Sequence, residues 1–247
     1  MHLTSLRQTI KNLGIHAIAR ALRMHLTSLR QTIKYLGNHA IARAREVLGA
    51  KKKYCIRGSY RHRGSYLYFD DTVLKDDWQR EVYLEAAELM ARERLRRVYD
   101  VGCGSGYKLV KYLGQYDTIG FDVPETLPFL GRTYPDRKWE IATFSCRSHS
   151  PADLVICADV IEHVLDPVEL MNYIVALSLR WIVLSTPDRN LMYERFSPDL
   201  LGPPRNPHHI REWSFEEFNE FVGRFMKIES HVISNRDQAT QMIVATV

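Results

Sequence analysis

Long apolar runs are missing from this 247-residue chain. Nowhere do about 18 uninterrupted apolar residues follow one another, so no segment is expected to cross a bilayer as a helix. Cysteine is scarce too. Cys55, Cys103, Cys146 and Cys157 form no Cys-x-x-Cys pair, which argues against a disulfide framework and reads as reduced thiols in a cytoplasmic protein. Acids are nearly absent from the first quarter: residues 1–63 hold 14 Lys and Arg against the single acid Glu46, a balance of +13. The remainder holds 20 basic residues against 28 acids, a balance of −8, so the formal +5 of the whole hides two opposite parts. What is present is a hydrophobic content of 45%, ample for one α/β domain with an extension.

The extension is a repeat. Met1 to Ala21 recurs as Met24 to Ala44 with only Asn12/Tyr35 and Ile15/Asn38 different, a period of 23 residues. Two copies are too few for a solenoid. Leu3, Leu6, Ile10, Leu13 and Ile18, then Leu22, Leu26, Leu29, Ile33, Leu36 and Ile41, make one apolar stripe on a basic helix over residues 1–50, weakened at Gly14 and Gly37. Near-identity of the copies fits a tandem duplication that lengthened one helix. The same composition also suits a transit peptide, or a helix that lies on a membrane surface or docks on a partner protein.

Residues 51–78 follow as a basic, aromatic lid or linker with its own echo, Arg57-Gly-Ser-Tyr and Arg63-Gly-Ser-Tyr. Interleaved cations and rings can stack bases and bind phosphates, and Gly58 and Gly64 can equally hinge a lid. Gln79 to Arg94 has the spacing of an amphipathic helix, with Val82, Leu84, Ala87, Leu89 and Met90 available inward.

The domain spanning residues 79–247 is organised around Val98 to Gly106, Val-Tyr-Asp-Val-Gly-Cys-Gly-Ser-Gly. An apolar run ends in an acid and three alternate glycines, and Tyr107 to Leu113 then takes up helical spacing, which predicts strand, tight turn and helix. Glycine frees the backbone for positive φ and for close approach to a ligand. Tyr107 stands where a dinucleotide fingerprint needs its third glycine, and no Lys with a hydroxyl neighbour follows Gly106 as a phosphate loop requires. A second short strand, Asp117 to Val123, places Asp122 on the order of 20 residues after Asp100, where a carboxylate can accept from ribose hydroxyls.

The Asp-x-Gly-x-Gly-x-Gly phrase resembles the first motif of class I S-adenosylmethionine-dependent methyltransferases. Val160-Ile-Glu-His-Val-Leu-Asp-Pro167, after a fourth strand Ala152 to Asp159, resembles the fourth motif of the ubiquinone-biosynthesis type of small-molecule methyltransferases. Asn206-Pro-x-His-x-Arg-Glu-Trp-Ser214 looks like a phrase that lines the acceptor side in the same broad family. The resemblance implies a Rossmann-like α/β fold with a seven-stranded, mostly parallel sheet and an antiparallel C-terminal strand pair, here Lys227 to Ile233 and Thr240 to Val247. It also favours the lid reading of residues 51–78, because the segment before the first motif often covers the substrate.

Further elements complete the pattern. Trp139 to Phe144 is expected as the third strand, with Thr143 and Ser145 where an acid often holds the adenine amino group. Trp181 to Ser185 is the fifth strand, Thr186 to Asn190 its exit loop, and Asn190 to Pro207 a long aromatic, proline-rich loop. Ser214 and Glu217 form a capping box for a helix over Phe215 to Phe225.

By resemblance, the cofactor is S-adenosyl-L-methionine. Asp100 with Gly102, Cys103, Gly104 and Gly106 would hold its methionine end, Asp122 and Val123 its ribose side, and Asp159 and Val160 its adenine or sulfur side. His163, His208 and His209 are the candidate bases, and Tyr193, Arg211 and Glu212 would place the acceptor. No metal is expected, since His208 and His209 with Asp188 and Glu212 match no recognised ligand spacing. The activity implied is methyl transfer to a small-molecule, sugar or lipid-linked acceptor, most readily to oxygen. An RNA methyltransferase using the basic N-terminal tract is the alternative, disfavoured because Ala158-Asp-Val-Ile stands where an Asn-Pro-Pro-Tyr type of tetrapeptide would be. A non-catalytic cofactor-binding scaffold is the other. The expected location is the cytoplasm, at a membrane surface if the N-terminal helix lies there.

Overall fold

In the computed structural model the described residues are 70–73, 75–76, 78–144, 149–194, 204 and 206–247, without the side chains of 193–194. The duplicated helix, the lid tract up to residue 69, Ser145 and the Tyr193 side chain lie outside the described residues.

The chain order is α1 (Arg80–Arg92), β1 (Arg97–Val101), α2 (Tyr107–Leu113), β2 (Asp117–Asp122), α3 (Leu127–Thr133), β3 (Lys138–Ile141), β4 (Ala152–Ala158), a 3-10 turn (Ile161–His163), α4 (Pro167–Leu177), β5 (Ser178–Pro187), α5 (Arg189–Glu194), α6 (Phe215–Val222), β6 (Lys227–Asn235) and β7 (Thr240–Thr246). The strands form one seven-stranded sheet in the order β3-β2-β1-β4-β5-β7-β6. β1 to β5 run parallel, while β7 is antiparallel to both β5 and β6. This is the predicted class.

The central strands explain their own position. Leu154, Val155, Ile156 and Cys157 are fully buried, as a strand covered on both faces by helices must be. β6 lies at the sheet edge and keeps Lys227 and Glu229 exposed, which discourages pairing with another chain. From β1 the chain works outward through β2 and β3, then crosses back to β4 on the other side. The carboxyl ends of β1 and β4 therefore flank the reversal of strand order, where open α/β sheets bind ligands.

Several expectations need correction. α1 buries Val82, Tyr83, Ala86, Leu89 and Met90, one face at helical spacing, and leaves Leu84 46% exposed and Ala87 only partly buried. The third strand is Lys138–Ile141, shorter than Trp139 to Phe144, and the helix after Ser214 ends at Val222 rather than Phe225. β5 runs through Thr186 and Pro187, and the predicted exit loop is the start of helix α5. The reason is local: Asp188 Oδ1 accepts from the Leu191 amide at 2.8 Å and so caps that helix.

Candidate active site

The glycine turn has the geometry that its spacing implies. Gly102, Gly104 and Gly106 have φ of +78°, +53° and +70°, all left-handed. The amides of Gly102 and Cys103 donate to the Phe121 carbonyl at 2.8 and 3.1 Å, which ties the turn to β2. A Cβ on Gly106 would lie 2.7 Å from Trp139 and 2.8 Å from Leu130, and one on Gly102 would lie 2.2 Å from the Val160 side chain. The turn is thus pressed against β3 and α3 below and against the end of β4 at its side.

Two acids stand at the strand ends. Asp122 Oδ2 accepts from the Gly104 amide and its Oδ1 from the Val123 amide, both at 2.7 Å. Burial pushes its carboxyl pKa up, and those amides with Thr126 pull it back. Asp100 is wholly buried and accepts from the Tyr83 hydroxyl at 2.9 Å. Its other oxygen, Oδ1, is buried without a hydrogen-bond partner among the described residues. Burial raises its pKa to about 7, with Tyr83 and Lys108 opposing and Asp122 and Asp71 adding to the shift. A left-handed glycine turn, an acid at the end of β2 and an orphaned oxygen on the acid of β1 fit a cofactor with hydroxyls and a cationic amino-acid end.

β4 delivers the next group. Asp159 sits in the left-handed region at φ +52°, a conformation that costs a non-glycine residue about 1–2 kcal/mol and persists only where its surroundings hold it. Here the holding groups are Ser185, whose hydroxyl donates to Asp159 Oδ1 at 2.6 Å, and the Ser185 carbonyl, which accepts from the Asp159 amide at 3.1 Å. Gln79 reaches in from the start of α1 and donates to the Ala158 carbonyl at 3.3 Å.

Beyond β4 the candidate acceptor groups converge. Buried Glu162 accepts from the Thr186 hydroxyl at 3.0 Å, and its carbonyl accepts from the Ile210 amide at 2.7 Å. His209 Nδ1 lies 2.7 Å from Glu212 Oε1, and its Nε2 lies 2.9 Å from Asn206 Nδ2. His163 Nδ1 is 3.0 Å from the His208 carbonyl oxygen, and the His163 and His209 rings meet edge to face with centroids 5.0 Å apart. Burial holds the His163 imidazole neutral by lowering its pKa to about 4.

The segment carrying these groups is stitched to the sheet. Gln241 of β7 donates to the carbonyls of Pro187 and Trp213, and the Arg189 amide donates to the Trp213 carbonyl. Arg211, expected at the acceptor, donates to the Leu165 carbonyl at 2.8 Å and lies over the Trp213 ring. His208 joins through its backbone carbonyl. One ligand atom from each of Glu162, His163 and His209 lies within 4.8 Å of the others, a set able to hold a metal ion. It shares only His209 with the cluster considered from sequence, because Asp188 is occupied in capping α5.

The sequence profile of a family described as a methyltransferase domain matches residues 74–231, which include the glycine turn, both acids and the whole acceptor cluster. The chain belongs to this methyltransferase domain family. Solved structures share its fold. One is the magnesium protoporphyrin IX methyltransferase of Synechocystis PCC 6803 with bound SAH, at TM-score 0.52 and 17% identity over 68% of this chain and 82% of that one. Another is the methyltransferase domain of bacterial CtHen1-C, at TM-score 0.51 and 17% identity over 68% and 97%. A third is an O-methyltransferase family protein from Burkholderia thailandensis, at TM-score 0.51 and 13% identity over 68% and 55%. No curated protein sequence matches the chain.

As a class I S-adenosylmethionine-dependent methyltransferase, the protein brings the predicted cofactor residues Asp100, Gly102, Cys103, Gly104, Gly106, Asp122, Val123, Asp159 and Val160 to the carboxyl ends of β1, β2 and β4. His163, His209 and Glu212 meet at one place. Sequence reasoning missed Tyr83, Gln79 and Ser185, which hold Asp100 and the end of β4. Only Gln79 carried a local signal, as the residue that opens the α1 pattern.

Proposed function

We propose that this methyltransferase methylates a hydroxyl oxygen of a small-molecule acceptor, with sugar and lipid-linked hydroxyls the classes to try first. The observation that carries the reading is the Glu212–His209–His163 cluster after the end of β4, with Glu212 and His209 buried and His163 half-buried. S-adenosylmethionine, which Asp100, the glycine turn and Asp122 would hold, would supply an electrophilic methyl group and leave as the neutral thioether. The sulfonium is a good leaving group, so most of the rate comes from alignment. The chain must still receive the hydroxyl proton. His209 suits that role because Glu212 lies against Nδ1, orienting the ring and stabilising the imidazolium that forms once the acceptor hydroxyl displaces the Asn206 amide from Nε2. His163, whose Nδ1 lies 3.0 Å from the His208 carbonyl oxygen, packs edge to face on the His209 ring and helps to hold it in place.

A second reading rests on the 4.8 Å convergence of Glu162, His163 and His209: a divalent cation there would bind the acceptor oxygen directly. The test is transfer of labelled methyl to paired hydroxyl and amine acceptors, before and after exhaustive chelation. Transfer to hydroxyls that survives chelation supports the histidine base. Activity lost on chelation and restored by Mg²⁺ or Mn²⁺ supports the cation, and transfer to amines alone would overturn both.

A further inference from the structure

The segment ahead of α1 crosses the glycine turn, and no motif pointed to it. Asp76 accepts from Lys111 and, at 2.8 Å, from the Tyr112 hydroxyl, both on α2, and the Lys75 carbonyl accepts from Lys108 at 2.9 Å. These contacts pin the segment to α2. They deliver the Asp71 carboxylate onto Gly104, where a Cβ would lie 2.0 Å from Oδ2 and 2.3 Å from Oδ1. Only glycine leaves room for it.

We infer that Asp71 is a cofactor-binding residue whose carboxylate takes the α-ammonium at the amino-acid end of S-adenosylmethionine. The inference rests on the cofactor assignment above. Asp71 and Asp122 both lie against Gly104, Asp100 lies on the strand that leads into the same turn, and the neighbouring cation Lys108 donates to the Lys75 carbonyl. Asp122 is committed through both oxygens to the Gly104 and Val123 amides. Asp100 keeps one buried oxygen without a donor. A primary ammonium brings one positive charge and three N–H donors, which answers both the crowded negative charge and the missing donor. The ribose hydroxyls bring no charge and the sulfonium brings no N–H, so the ammonium is the part of the cofactor that fits. Burial first, and then the Asp122 charge, raises the Asp71 pKa to about 6, with Lys108 opposing.

The experiment is calorimetric titration of the full chain and its Asp71→Asn and Asp71→Glu variants with three ligands. S-adenosylmethionine and S-adenosylhomocysteine carry the amino-acid end; 5′-methylthioadenosine keeps the adenosine and the thioether and lacks it. Asp71→Asn should weaken the first two by about tenfold to a hundredfold, the worth of one charge-assisted hydrogen bond, and leave the third unchanged. Asp71→Glu should recover part of the loss. Equal weakening for all three ligands would mean that Asp71 only shapes the turn and would overturn the inference. Unchanged or tighter binding of S-adenosylmethionine would overturn it as well, showing a carboxylate that merely covers Gly104. If the unmodified chain bound none of the three, the cofactor assignment itself would fall, and the inference with it.

Discussion

Asp122 Oδ2 accepts a hydrogen bond from the Gly104 amide at 2.7 Å, so the acid that ends β2 holds open the turn that follows β1. One carboxylate thus shapes the turn and is proposed to take the ribose. Asp122→Ala would remove that proposed acceptor and strand two amides, those of Gly104 and Val123. Calorimetry should show S-adenosylmethionine affinity reduced by about tenfold or more, with a melting temperature lowered by the loss of about 1–3 kcal/mol per unpaired buried group. Undiminished affinity would remove Asp122 from the cofactor site.

The fit around Gly106 gives a stability prediction. Alanine there must adopt φ +70° and place its Cβ 2.7 Å from Trp139 and 2.8 Å from Leu130. Left-handed strain and overpacking together should cost about 2–4 kcal/mol in a denaturant titration. A cost under about 0.5 kcal/mol, the usual range of a surface substitution, would contradict the tight packing described.

The pH dependence follows from the crowded acids. Asp71 and Asp100, raised to about 6 and about 7, face Asp122, Asp70, Lys108, Tyr83 and Cys103. Raised carboxyls stabilise the free protein fully below their ordinary pKa near 4, and this stability is lost as pH climbs through 6 to 7. A cationic cofactor binds the ionised forms better. The melting-temperature increase given by saturating S-adenosylmethionine should therefore be larger at pH 8 than at pH 5.5, most of it lost in Asp100→Asn. Other titrating groups, such as His231 stacked on Phe215, are present with and without cofactor and cancel in that difference.

The glycine turn, Asp122 and the Ser214–Glu217 capping box were legible because each is local: spacing alone dictates a turn, a strand end or a helix start. The seven-stranded sheet and its antiparallel C-terminal pair followed from the strand count and the resemblance. Tyr83, Asp71 and Gln79 were not legible as contacts of the site, since each reaches it by packing from an upstream segment whose own sequence pattern says only helix, lid or linker. Arg211 was legible only as part of the Asn206 to Ser214 phrase; the bond from its guanidinium to the Leu165 carbonyl joins groups 46 residues apart and could not be read from spacing. Helix α5 was hidden because Pro187 reads as a loop signal, whereas here it ends a strand just before a capped helix.

The acceptor cluster predicts graded losses in turnover. His209→Ala should lower the rate by about a hundredfold or more with cofactor affinity preserved, as expected for loss of a general base. Glu212→Gln keeps the ring's hydrogen-bond partner but not its charge, so its loss should be smaller. Steady-state kinetics beside cofactor titration separates these cases, and His209→Ala with full turnover would place the base elsewhere.

Ser214 accepts from the Glu217 amide at 3.3 Å while Glu217 accepts from the Ser214 amide at 3.0 Å and from Arg189. Ser214→Ala should cost about 1 kcal/mol in a denaturant titration and leave cofactor affinity intact. A cofactor affinity that fell with it would tie α6 to the cofactor site.

The most direct test is the calorimetric titration of the purified full chain with S-adenosylmethionine. The site described here predicts one molecule bound per chain with micromolar affinity, and competition by S-adenosylhomocysteine. A folded chain that took up neither would contradict the assignment of the glycine turn and its acids to this cofactor.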